Sequence, residues 1–148
     1  MSKIYTFLII IPIIAALFFK TAALYEFDTK QRYIKNTVDN LTHKVMITGV
    51  MTEKDKEDLL DRLNRLGKFS ENSVILEAGS VDSYESISEL YHYMVGDVLD
   101  RGAVFSITVK SDDESLLSEM GDKSADGSHK LYYKAKAVCR IEKKQSLH

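Results

Sequence analysis

Asp122, Ser124 and Asp126, followed by Gly127, carry the one ligand-like spacing in this 148-residue chain. Oxygen donors at the first, third and fifth places, with glycine at the sixth, make the first half of a calcium-binding loop. Its twelfth place, where a bidentate glutamate closes the coordination sphere, is Tyr133. Asp112, Asp113 and Glu114 are the acids that could join such a loop from outside it. Asp, Ser and Gly are also the ordinary material of any turn-rich loop, so a plain acidic loop is the simpler reading. Calcium is the one cofactor that this spacing admits.

Nothing else in the chain points to catalysis. His43, His92, His129 and His148 share no ligand spacing, and GxSxG, phosphate-loop, HExxH and CxxC patterns are all missing. The single cysteine, Cys139, allows neither an internal disulfide framework nor a cysteine-based metal cluster. It falls on the apolar face of a predicted strand, where a thiol is a small, inert hydrophobe. The residues predict a protein that is not an enzyme, with no catalytic or cofactor-binding side chains.

The elements around these residues read as follows. Leu131, Tyr133, Ala135, Ala137, Cys139 and Ile141 alternate with polar neighbours, which predicts a long half-buried strand. Phe105, Ile107 and Val109 share one face of a second strand over 104–110, and the two form an antiparallel pair. A short apolar run over 73–78 predicts a third strand. Residues 82–95 are ambiguous: Tyr84, Ile87, Leu90 and Met94 are helically spaced, whereas residues 91–95 read equally well as strand. The long 111–129 connection includes Leu116, Leu117 and Met120, enough for one helical turn. Upstream, Thr52 and Asp55 make an approximate capping box for a helix with Leu59, Leu60, Leu63 and Leu66 on its apolar face, closed by Gly67. The fold class is α+β: a helical stem, a second helix and a small antiparallel sheet of about three strands.

The stem comes directly out of a sixteen-residue uncharged apolar run at 4–19. A membrane span takes about 20 residues, and the run reaches that length as 4–25 when Lys20 snorkels. Tyr5 and Tyr25 then stand near the two interfaces, and Pro12 is tolerated inside lipid. Ile4, Leu8, Ile11, Ile14 and Leu17 are the anchor residues, in a membrane segment over 1–24 followed by a domain over 25–148. Beyond it, Leu24, Phe27, Ile34, Val38, Leu41 and Val45 recur at helical spacing, with Gln31 the one polar member. One helix can therefore run from the membrane to Met46, with a stem over 25–46. Its Ile34, Val38, Leu41 and Val45 pack either on the chain's own domain or on neighbouring copies.

Met1-Ser2-Lys3, a minimal positive start, and the small residues Thr21, Ala22 and Ala23 also fit a cleaved signal peptide ahead of a secreted binding module, for which calcium is the candidate ligand. Orientation is contested. Lys3 favours an inside N-terminus, whereas Lys30, Arg32 and Lys35 favour a cytoplasmic C-terminal domain, as in a membrane adaptor. The chain holds 20 basic and 22 acidic residues, and setting aside Lys3 and Lys20 leaves 18 against 22. With no basic stripe, nucleic acid is not an expected partner.

The order of parts resembles type IV pilin-like proteins. More closely, Gly49 and Met51-Thr52 leading into the Leu59, Leu63, Leu66, Gly67 helix, then Gly96-Asp97, Gly102, VFSITVK and KLYYKAKAVCRIEK, resemble TadE-like pseudopilins of Gram-positive mobile elements. Two places depart from the pilin pattern: Lys3 stands where prepilin processing uses a glycine, and the run has no glutamate at its fifth position. The resemblance implies a single-pass protein of the cell membrane with its C-terminal domain extracytoplasmic. Such a protein would be a structural component of a pilus, secretion or conjugation apparatus. Its partners would be the lipid bilayer and other proteins, or copies of itself joined through the stem.

Overall fold

The computed structural model describes residues 2–82, 86–87, 89–115, 118 and 130–142. Helix α1 runs without interruption over Ser2–Thr48, through Pro12. It ends where Gly49 adopts a φ of 74° and donates its N–H to the Val45 carbonyl (2.7 Å). A left-handed glycine at this place satisfies an orphan carbonyl that a side-chain-bearing residue would reach only with strain. Helix α2, Glu53–Asn64, starts from the Thr52–Asp55 capping box that the sequence predicts. Both halves of that box are present: Thr52 Oγ1 accepts from Asp55 N–H (3.2 Å), and Asp55 Oδ2 accepts from Thr52 N–H (3.1 Å).

Strands β1 (Val74–Gly79), β4 (Tyr91–His92), β5 (Val104–Lys110) and β6 (Lys134–Arg140) form one antiparallel sheet in the order β4-β1-β5-β6. The short β2 (Val81–Asp82) and β3 (Ser86–Ile87) pair only with each other. The architecture is α+β, but the main sheet has four strands rather than about three. The added strand is β4, two residues long with both side chains exposed, which is too short to show alternation in the sequence. Of the two readings of 82–95, the strand reading holds at 91–92 and the helical one gives way to short strands at 81–82 and 86–87; residues 83–85 and 88 lie outside the described residues.

The sheet presents Leu76, Ala78, Phe105, Ile107, Val109, Ala135 and Ala137 to the core, and α1 lays Ile34, Val38 and Val45 across them. Each of those three helix residues is essentially inaccessible to solvent. Burial of this kind stabilises by about 1.5–3 kcal/mol per aliphatic side chain. Leu59 and Leu63 of α2 close one flank.

Two contacts fix the relation of β6 to α1. The Gln31 side chain pairs with the backbone of Lys134, and the Glu142 N–H donates to the Met46 carbonyl (2.9 Å). From 31 to 46 the helix rises about 22 Å, and from 134 to 142 an extended chain advances about 26 Å. β6 therefore runs alongside α1 in the same direction, away from the apolar half of the helix.

Candidate functional site

Helix α1 has two halves with opposite surroundings. In the first, the large apolar side chains are bare on every side of the helix, from 42% exposed at Ile10 to 70% at Phe18. The anchor residues Ile4, Leu8, Ile11, Ile14 and Leu17 are all among them. A helix that is apolar all round has no face to give to water. Among the described residues α1 is the one helix long and apolar enough to cross a membrane. Residues 4–25 rise about 33 Å, against a hydrocarbon core of about 30 Å. Thr6 and Thr21 donate their hydroxyls to the carbonyls of Ser2 and Leu17, each at 2.9 Å. Those polar groups are thereby satisfied inside the helix, as lipid requires.

The second half is built into the domain, and the change comes abruptly. Ala23 is 6% exposed, while Leu24 and Tyr25 on other faces stay open. One turn on, the Phe27 ring stacks on Tyr133 with centroids 5.3 Å apart. Lys30 reaches over the same ring at 6.0 Å and pairs with Glu26 at 2.7 Å. The Glu26 hydrogen bond, only partly opposed by burial, holds the Lys30 pKa above its ordinary value. Burial raises that of Tyr133.

Gln31 then explains its own presence in an apolar stripe. Its Oε1 accepts the Lys134 N–H (3.2 Å) and its Nε2 donates to the Lys134 carbonyl, so one amide side chain satisfies a residue of an edge strand. Ile34, Val38 and Val45 are buried in the chain's own core, and Leu41 packs against it partly exposed. The stem stripe is occupied within the monomer.

Two polar groups lock the far end. Asp55 is 6% exposed and takes Lys44 Nζ at 2.6 Å. Burial pushes its pKa up, but the Lys44 and Thr52 hydrogen bonds outweigh that and leave it below the ordinary carboxylate value. The Tyr93 hydroxyl accepts the Met51 N–H (3.0 Å) and donates to the Asp97 carbonyl (2.5 Å), while its ring meets Phe105 edge-on. That hydroxyl ties the 93–97 turn to the segment joining α1 and α2.

The ligand candidates fall largely outside the described residues. Asp122, Ser124 and Asp126 lie outside the described residues, as do Leu116, Leu117 and Met120 of the expected helical turn. Of the flanking acids, Asp112 accepts from Ser70 and Ser73, Asp113 faces Lys68 at 3.9 Å and Glu114 pairs with Lys130 at 3.3 Å. Among the described residues no three His, Cys, Asp or Glu side chains gather as a metal site. His92 is exposed on β4 opposite Glu77, and His129 and His148 are outside the described residues. Burial pushes the Cys139 thiol up to about 11, far from a reactive thiolate.

The open cleft of about 210 Å³ between α1 and α2 is lined by Thr37, Asn40, Lys44, Asp55, Asp58 and Arg62, with no nucleophile beside a base. The functional feature of the described residues is thus the bare apolar helix and its rigid attachment. Sequence reasoning singled out the helix and missed the Gln31–Lys134 clamp, whose only sequence signal was a lone glutamine in an apolar stripe. No family model, curated protein or solved structure matches the chain.

Proposed function

We propose that this chain is a non-enzymatic, single-pass membrane protein that holds its α+β domain directly on the outer surface of the cell membrane. In this role it is a pseudopilin-like structural component of a pilus, secretion or conjugation apparatus. The observation that carries the reading is the division of one unbroken helix into a bare apolar half and a half packed on an antiparallel sheet. That is the layout of the pilin-like proteins the sequence resembles.

Continuity of the helix also favours retention of the anchor. A signal peptidase cutting near residue 23 must bind an extended backbone, yet 21–25 is helical and the Ala23 side chain is closed to solvent. Burial from Ala23 onward leaves no spacer between membrane and domain. With β6 running away from the membrane, the 130–133 segment sits at the level of residues 23–27, beside the lipid headgroups. Since the stem stripe is occupied within the monomer, contacts between copies fall to residues 4–19 inside the bilayer.

Alkaline phosphatase fused after His148, with an immunoblot for size, tests the reading. Phosphatase activity at full-length mass is expected. Activity with a loss of about two dozen residues would identify a cleaved signal peptide and a secreted domain. An inactive fusion would put the domain in the cytoplasm and end the pseudopilin interpretation.

A further inference from the structure

The sheet ends in an open edge at β6. Tyr133 and Ile141 direct their peptide groups toward the β5 side: the Tyr133 carbonyl accepts from Ser111, and Ile141 exchanges bonds with Ala103 and Gly102. Antiparallel ladders alternate, so the even-numbered residues 134–142 turn their peptide groups outward. Helix α1 takes these groups at both ends, through Gln31 on Lys134 and the Met46 carbonyl on Glu142. Between the two pins, the N–H and C=O groups of Lys136, Val138 and Arg140 have no partner among the described residues. The result is a slot five residues long with three donors and three acceptors in line, spanning about 16 Å.

The side chains at the slot have a definite chemistry. On the outward face stand Lys134, Lys136 and Arg140, all exposed, with Val138 57% exposed among them. Lys110 of β5 lies directly across from Lys134. Lys110 sits over the Tyr132 ring at 4.5 Å and Arg140 Nε donates to the Gly102 carbonyl at 3.4 Å. None of these four cations forms an ion pair with a described acid, although the chain as a whole is acidic. On the inward side, the edge faces a largely polar groove of about 380 Å³ between β6 and α1, lined by the Lys35–Asp39 ion pair, Thr42, His43 and Met46 with Lys136, Ala137, Val138 and Cys139.

We propose that this slot binds an extended segment of a partner protein as a fifth strand, with acidic residues on its outward face and small polar residues turned into the groove. The backbone groups supply affinity and the cations select acids, the division of labour general to strand addition. Cross-strand pairing of opposite charges favours such a segment, and like charges directly opposite are unfavourable. A second copy of this chain is therefore the wrong occupant, because β6 against β6 would set Lys136 and Arg140 against the same two cations in either direction.

Full-length protein in neutral detergent, presented to an array of eight-residue peptides alternating Glu or Asp with Ser or Thr, tests the proposal. Acidic alternating peptides are expected to bind and their Lys counterparts are not. N-methylation of the peptide amides that face β6 should weaken binding at least tenfold, whereas methylation of the alternate amides should not. Val138→Pro should do the same, since this N–H points away from β5 and an edge position accepts proline without loss of the ladder. The double variant Lys136→Glu with Arg140→Glu should switch preference to the Lys peptides, a gain that misfolding cannot mimic. Absence of binding by every acidic peptide would overturn the proposal. So would binding that ignores N-methylation, and so would a β6 face that takes anionic lipid vesicles irrespective of Val138→Pro.

Discussion

Truncation of Ile34 to alanine decides whether the stem stripe is the monomer's own core. Ile34 is fully buried between α1 and the sheet, so the substitution removes three carbons from a packed interior. At about 0.8 kcal/mol per buried methylene, the transfer loss alone is about 2.4 kcal/mol. A residual cavity adds to this, since Ala135 and Ala137 of the same core lie on a strand pinned at both ends and have only methyl groups, too short to fill it. The expected cost is about 3–4 kcal/mol, inside the range of roughly 2–5 kcal/mol for such truncations. For a domain of this size that lowers the midpoint of thermal unfolding by about 10–15 °C. Near-ultraviolet circular dichroism of the tyrosines, on full-length protein in mild detergent, reads the transition. Ile34→Val should cost only about 0.5–1.5 kcal/mol, and Tyr33→Ala, at a neighbouring exposed position, about 0.5 kcal/mol or less. If Ile34→Ala and Tyr33→Ala matched, or if the Ile34 effect vanished on dilution, the stripe would be serving neighbouring copies and the packing argument would fail.

Two further outcomes follow from charged and nucleophilic groups. Asp55→Asn should destabilise at neutral pH by about 0.5–2 kcal/mol, the value of a helix cap. Because the folded Asp55 pKa lies below its unfolded value of 3.8, its stabilisation is full above that value and is lost as pH falls through the folded pKa. The gap between native and Asp55→Asn midpoints should therefore be open at pH 6 and close progressively below about pH 4; a gap that stays constant down to pH 2 would refute the assignment. Cys139, raised from 9.0 to about 11, carries about 100-fold less thiolate than an ordinary thiol at any pH below its titration. Allowing for the greater nucleophilicity of a more basic thiolate, alkylation by iodoacetamide should be about tenfold slower than for a free cysteine peptide, and an equal rate would show that the thiol is not enclosed.

Much of this arrangement is legible from residue order alone, and the reasons are local. The 104–110 strand, the Thr52–Asp55 cap and the continuous passage from anchor to stem each follow from signals confined to a few neighbouring residues. β4 is legible only as one of two readings, because two exposed residues bonded to β1 are too few to tell strand from helix. The Gln31–Lys134 clamp joins positions 103 residues apart, and nothing in either neighbourhood announces the partner. The open edge of β6 is legible only in part: Lys134, Lys136 and Arg140 read as an ordinary polar face until the strand order makes that face an edge. The calcium candidate at 122–126 falls outside the described residues and stays a property of the sequence.

The helix also limits how this protein can associate with others. A stripe such as Ile34, Val38 and Val45 could have served as a seam between copies, but it holds the sheet onto its own stem and is closed to solvent. Any contact that opened it would first unfold the domain, so association through the stem competes directly with monomer stability. Two surfaces carry no such conflict. The apolar side chains of residues 4–19 are exposed and have only lipid or other helices to meet, and the unpaired peptide groups at Lys136, Val138 and Arg140 are held open by pins on both sides. The first surface is the bare half of α1, and the second lies along the sheet edge beside the packed half of the same helix. A neighbour could therefore grip the anchor while a different partner adds a strand to the sheet. In that geometry Gln31 and Met46 set the length of the slot, and with it the length of segment that fits.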